Sequence, residues 1–185
     1  MKPWVAATRK QPGKAINDDA FYIDSSKAYL LDGAGNAQGA ARRCLELIRR
    51  AEWRGLYSLV NLINFRLLAL NAESTFTAVT CDGSRLCGVS CGNSALWVVR
   101  DGRLFRVNET KKRLGRTGRL DLQWVSYGLQ KHDAIILATD GLTLDTYRLV
   151  REIRQSLLRP DEMPEAILRA QTDDSDDVTV LTTVI

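Results

Sequence analysis

At 185 residues, with 45% hydrophobic and 26% charged residues and four prolines, the sequence can bury one sizeable core and is neither disordered nor low in complexity. No apolar stretch is long enough to cross a bilayer, since even Leu56 to Leu70 is interrupted by Asn61, Asn64 and Arg66. The formal charge of +4 is modest for a nucleic-acid partner, and the basic residues do not interleave with aromatics in any one place. Met1-Lys2-Pro3-Trp4 opens no signal-type apolar block. The expectation is one domain over residues 1–185, cytoplasmic and monomeric, with no nucleic-acid or membrane partner.

The first strand is expected over Val5 to Lys10, with a break at Gln11-Pro12-Gly13 before Asn17-Asp18-Asp19. A second strand, Ala20 to Ile23, turns through Asp24-Ser25-Ser26 into a third that ends at Asp32. From Gln38 to Trp53 apolar residues recur at helical spacing, and Leu56 to Glu73 repeats the pattern. Arg42, Arg43, Arg49, Arg50 and Arg54 fall on the first of these helices, as a solvated face. Strand signals follow over Thr75 to Cys81, Arg85 to Cys91, Ser94 to Arg100 and Arg103 to Val107, which suggests a meander. After the polar, basic stretch Asn108 to Gly118, strands are expected over Leu120 to Tyr127 and Asp133 to Thr139. Helical segments over Leu144 to Leu158 and Pro160 to Thr172 precede a last strand, Val178 to Ile185. The order of strands, helix pair, strands, helix pair and strand argues for an α+β fold of stacked antiparallel sheets covered by helices.

Four Asp-Gly pairs separate into two kinds. Asp82-Gly83 and Asp101-Gly102 lie between strand-like runs and read as hairpin turns. Asp32-Gly33 and Asp140-Gly141 each follow an apolar run and precede a helix-like segment, which places an acid at a strand end where binding residues gather. Asp18/Asp19 and Asp176/Asp177 also border strands. Were these carboxylates to meet at one sheet edge, their repulsion would need a cation. Oxygen ligands without histidine or cysteine indicate Mg²⁺ or Mn²⁺, and two ions sharing a carboxylate can activate a water.

Other chemistries find less support. Cys44, Cys81, Cys87 and Cys91 form no Cys-x-x-Cys pair and read as reduced core thiols. His132, the only histidine, reads as a surface residue, and no nucleophile elbow accompanies it.

Taken in order, these motifs resemble the metal-dependent serine/threonine protein phosphatases of the 2C (PPM) type over nearly the whole chain. Asn17-Asp18-Asp19-Ala20 is similar to that family's Asn-Glu-Asp-Ala, and Asp32-Gly33-Ala34-Gly35-Asn36 to its Asp-Gly-x-Gly-Gly. Ser74-Thr75, Gly92-Asn93-Ser94, Thr139-Asp140-Gly141-Leu142 and Asp176-Asp177-Val178-Thr179-Val180 complete the set. The resemblance implies an α-β-β-α sandwich and two Mn²⁺ or Mg²⁺ ions bridged by Asp32. The Gly33 carbonyl and Asp18 would serve one ion, and Asp140 and Asp176 the other. Asp19 would orient the attacking water, and Lys14 would stand where the family has a phosphate-binding arginine. It further implies hydrolysis of phosphoserine or phosphothreonine on a protein substrate that has a cognate kinase.

This sequence departs from the family in four respects. Asp18 is a methylene shorter than the usual glutamate, Asn93 replaces an aspartate associated with a third metal, Lys14 lacks an arginine's fork, and the segment between Val107 and Asp133 is short. These departures define the alternative, a catalytically weak or inactive binding module on the same fold. The basic group Lys111, Lys112, Arg113, Arg116 and Arg119 is expected to steer acidic phosphorylated substrates.

Overall fold

The computed structural model describes residues 1–35, 39–50, 55–109 and 111–185. Asn36, the two ends of the helix expected over Gln38 to Trp53, and Arg54 lie outside the described residues. Among the described residues, eleven strands and four α-helices follow one another as β1 (Val5–Arg9), β2 (Asp19–Asp24), β3 (Lys27–Gly35), α1 (Ala40–Arg49), α2 (Leu56–Ala69), β4 (Ala72–Ser74), β5 (Phe76–Cys81), β6 (Arg85–Cys91), β7 (Ala95–Arg100), β8 (Arg103–Arg106), β9 (Gln123–Gly128), β10 (Ala134–Ala138), α3 (Thr146–Ser156), α4 (Met163–Ala170) and β11 (Val178–Val184).

Two antiparallel sheets form, one in the order β1-β11-β10-β7-β8 and the other β2-β3-β5-β6-β9, with β4 attached to β3. The period of two along a strand sorts side chains into three apolar layers. Along β10, Ile135 and Leu137 face the middle layer with Leu30, Val79, Leu86, Leu96 and Leu181, between the sheets. The alternate residues Ala134, Ile136 and Ala138 pack with Leu149, Ile153 and Ile167 of α3 and α4. On the far side, Leu31, Phe76 and Val89 meet Cys44, Ile48, Val60, Ile63 and Leu67 of α1 and α2. This is the expected α+β sandwich of helices, two sheets and helices. β10 is buried along its whole length because both of its faces are covered.

Four local expectations are corrected. The helix expected to reach Glu73 stops at Ala69, because Asn71 turns to a left-handed φ of 50° and Ala72–Ser74 leaves to pair with β3. The run from β5 to β8 is no single meander: β5 and β6 pair in one sheet, and after Gly92 at φ 88° the chain crosses to the other for β7 and β8. Asp32 is not at a strand end. β3 runs on to Gly35, pairing with β5 up to Leu30 and with β4 from Gly33. The segment expected over Pro160 to Thr172 splits into a 3-10 turn, Pro160–Glu162, and α4.

The two hairpin turns form as expected, Asp101 and Gly102 both taking positive φ between β7 and β8. Arg42, Arg43, Arg49 and Arg50 are exposed along α1. No disulfide forms, and burial pushes the thiols of Cys44, Cys81 and Cys91 up to about 11, 12 and 12. His132 is exposed.

The layer assignment of β10 is testable. Leu137→Ala should remove about 2–5 kcal/mol of stability in urea denaturation, as expected for a fully buried leucine. A loss below about 1 kcal/mol would contradict its place between the sheets.

Candidate active site

The site forms where β3 changes partner. Thr75, the residue between β4 and β5, holds Asp32 from both sides: its hydroxyl accepts from Asp32 N at 3.0 Å, and its N–H donates to Asp32 O at 2.9 Å. The Thr75 hydroxyl is shared with Ser94 at 2.6 Å. Gly92 packs flat on Thr75, where a Cβ would lie 2.7 Å from Thr75 Cγ2. Asp19 stands opposite Asp32 in the β2–β3 register. Its carboxylate accepts from the Thr139 hydroxyl at 2.9 Å, at the end of β10. Asp140 follows directly, so three strands bring three acids together.

Burial decides their charge. Asp19 and Asp32 are 6% and 8% exposed. Burial pushes the Asp19 carboxyl up to about 7, against hydrogen bonds from Thr179 and Thr139 and with added repulsion from Asp177 and Asp176. Burial, then the neighbouring Asp19 and Asp140 charges, pushes Asp32 up to about 8, with Arg113 opposing. The Arg113 guanidinium reaches Asp32 Oδ2 at 3.4 Å, Asp140 Oδ2 at 3.3 Å and Asn93 Oδ1 at 3.3 Å through one nitrogen, Nη2. The Asn93 amide also donates to Asp140.

A second cluster adjoins the first. Lys14 Nζ lies 3.0 Å from Asp177 Oδ2, 3.3 Å from Asp176 Oδ1 and 3.6 Å from Asp18 Oδ2. Burial lowers the Lys14 pKa, but hydrogen bonds and charge from Asp177 and Asp176 outweigh it and raise the ammonium well above its ordinary value. Asp177 is the buried hub: its carboxylate accepts from Gln11 N and from Asp18 N, each at 2.7 Å. Burial acts to raise its pKa, and these donors together with Lys14 more than offset it, holding the group below the usual carboxylate range. Asp18 Oδ1 accepts from Gly39 N at 3.3 Å at the start of α1, and Asp18 O accepts from Gly33 N at 3.1 Å. A Cβ on Gly33 would sit 2.8 Å from that carbonyl, so the close approach requires glycine. Gly141 is similarly constrained, with a Cβ there 2.0 Å from Asp177 O.

The structure thus places Asp19, Asp32 and Asp140 in one group, and Asp18, Asp176 and Lys14 in the other, with Gly33 joining them. Lys14 engages the carboxylates. Among the described residues no three acidic, histidine or cysteine side chains form a ready-made metal cage. Two residues hold places at the site that their sequence context did not assign to them. Asp177 carried a signal, being one of an Asp-Asp pair before a strand. Arg113 stood in the basic group expected to steer substrates, and nothing in the sequence marked it as the member that reaches Asp32 from a loop 81 residues away.

The comparisons agree with this architecture. A family model described as Stage II sporulation protein E (SpoIIE) matches residues 33–184. The PPM Ser-Thr phosphatase MsPP from Mycobacterium smegmatis, solved in complex with cacodylate, is 18% identical with a TM-score of 0.81, covering 97% of this chain and 96% of that one. The catalytic domain of the serine/threonine protein phosphatase PstP, in complex with two manganese ions, is 19% identical with a TM-score of 0.76, covering 97% and 96%. The S. agalactiae serine/threonine phosphatase is 16% identical with a TM-score of 0.82, covering 100% of both chains. A sequence search among curated proteins finds no match. With the family model covering most of the chain and the sandwich shared throughout, the chain belongs to the SpoIIE family and has the fold of the PPM-type phosphatases.

Proposed function

We propose that this chain is a metal-dependent phosphatase that removes phosphate from phosphoserine or phosphothreonine on a protein. The observation that carries the reading is Asp32: its backbone is held by Thr75, and its carboxyl is buried beside Asp19 and Asp140, at the strand junction where all three meet. The donor set fits a hard divalent cation, being all oxygen, with the Asp19 and Asp32 carboxyls pushed up by burial and by neighbouring carboxylates. PstP, whose fold this chain shares, holds two manganese ions.

In this reading Asp32, Asp140 and Asp176 would hold one ion, and Asp32, Asp18 and the Gly33 carbonyl would hold the other. When bound, the ions supply positive charge to the phosphoryl oxygens and activate water for attack on phosphorus. Asp19, fixed by the Thr139 hydroxyl, orients that water. Lys14 offers its charge to the phosphate from the edge of the second cluster. An open cleft of about 450 Å³ beside Arg113, lined by Lys111, Lys112 and Arg116, suits an acidic peptide around the phosphorylated residue. The substrate is a phosphoprotein, and the enzyme opposes a kinase.

A second reading is a phosphatase-like module that binds without cutting. The ion pairs of Arg113 with Asp32 and Asp140 favour it, because they already neutralise part of the centre. Turnover separates the two. With Mn²⁺ present, phosphate release from a phosphothreonine peptide is expected in wild type and should fall by at least about 100-fold in Asp32→Asn and Asp140→Asn, as removal of a key electrostatic group does. Absence of release from a wild type that binds Mn²⁺ would leave the module.

The raised carboxyls also set a pH dependence. Unfolded, Asp19 and Asp32 titrate near 4; folded, near 7 and 8. Between those values the native state keeps protons that the unfolded chain gives up, so stability without divalent ions falls as pH rises. Asp177 acts oppositely but only below the unfolded value, where its stabilisation is lost with acid. Melting temperature in chelator should therefore drop between about pH 5 and pH 8, and Mn²⁺ should restore more at the higher pH. A flat or rising profile would contradict the raised carboxyls of Asp19 and Asp32.

A further inference from the structure

We propose that Arg113 is a displaceable internal cation: it pairs with Asp32 and Asp140 until a divalent ion takes those oxygens, and it then turns toward the phosphorylated substrate in the adjoining cleft. The inference rests on the metal-dependent reading above and concerns a residue to which that reading gives no role.

Arg113 is aimed by a backbone that is itself fixed. Leu114 is fully buried and exchanges both backbone hydrogen bonds with Ser74, at 2.9 and 3.1 Å. Gly115 takes a φ of 82°, where a Cβ would lie 2.1 Å from Ala72 O, and its N–H donates to Asn64 Oδ1 at 2.7 Å. Asn64 is buried on α2 and holds Thr117 O as well, at 3.0 Å. On the other side, Lys111 N donates to Gly92 O at 2.8 Å, and Gly92 rests on Thr75, the residue that holds Asp32. The loop and the carboxylate are therefore pinned to the same strand junction, and only the Arg113 side chain needs to move.

The contacts of that side chain suit exchange. A single nitrogen serves three oxygens at 3.3–3.4 Å, with no bidentate fork, and the side chain is 27% exposed. Pairs of this kind stabilise little. A guanidinium and a divalent ion on the same carboxylate oxygens repel one another, so each lowers the other's occupancy by the same factor. Glu73 and Asp121 line the cleft beside Arg113 and can receive the released guanidinium, whose planar donors match a phosphoryl group. Arg113 is thus a positioning residue while paired with the acids and becomes a substrate-binding one after release.

Mn²⁺ titration calorimetry on purified protein tests this. Arg113→Gln is expected to bind Mn²⁺ roughly 2- to 5-fold more tightly than wild type, the scale of losing one partly exposed ion-pair competitor. Arg113→Lys, which keeps the charge, should stay near wild type. Arg151→Gln, which removes the same charge from the surface of α3, should leave affinity unchanged. Equal or weaker binding in Arg113→Gln overturns the proposal while leaving the metal-dependent reading intact. No Mn²⁺ binding in any variant overturns both. A readout on unaltered protein covers a variant that fails to fold. The Arg113 side-chain Nε–H resonance of wild type should shift on adding Mg²⁺, and an unmoved resonance overturns the proposal.

Discussion

The structure depends on how positive charge reaches a buried carboxylate. Asp32 sits where β3 leaves β5 for β4, enclosed by Thr75, Asp19 and Asp140, and burial makes its charged form unfavourable there. An isolated buried anion is too costly to keep, so the group must be protonated, paired or bound to a cation. The neighbourhood accordingly supplies cations, Arg113 at the first cluster and Lys14 at the second.

Much of the fold can be read as scaffolding for that junction. The middle apolar layer fixes the distance between sheets, so Asp140 at the end of β10 in one sheet meets Asp32 on β3 in the other. Glycines at positions 33, 92 and 141 permit backbone approaches that any Cβ would block, and each approach joins an acid-bearing segment to its neighbour. Asp177 performs a related task without joining the first cluster: it gathers the N–H groups of Gln11 and Asp18 and the Lys14 ammonium, tying the start of β11 to the β1–β2 connection. Removing its carboxylate would leave these partly buried donors without their acceptor, and an unsatisfied donor costs more than the net worth of the hydrogen bond.

The sandwich and the positions of most acids were legible in the sequence because they follow from local pattern. Alternation and turn residues marked Asp82-Gly83 and Asp101-Gly102 as hairpins, and the apolar run before Asp140 marked a buried strand. What failed was non-local. Ala72–Ser74 continues a helix-like composition, and only its pairing with β3 and the left-handed Asn71 make it a strand. Nothing near Gly92 distinguishes a hairpin from a crossing between sheets. Arg113 was legible as one of a basic group but not as the member that enters the site, because its direction is set by Ser74, Asn64 and Gly92. Lys14 was placed at the site on family resemblance, and its three carboxylate partners emerge only in the folded chain.

The most direct test of this account is anomalous X-ray diffraction from crystals soaked in Mn²⁺. The account predicts anomalous peaks against the oxygens of Asp32, with the Arg113 guanidinium moved off Asp32 and Asp140. Diffraction showing no ion at Asp32 and Arg113 still in contact with both acids would contradict it.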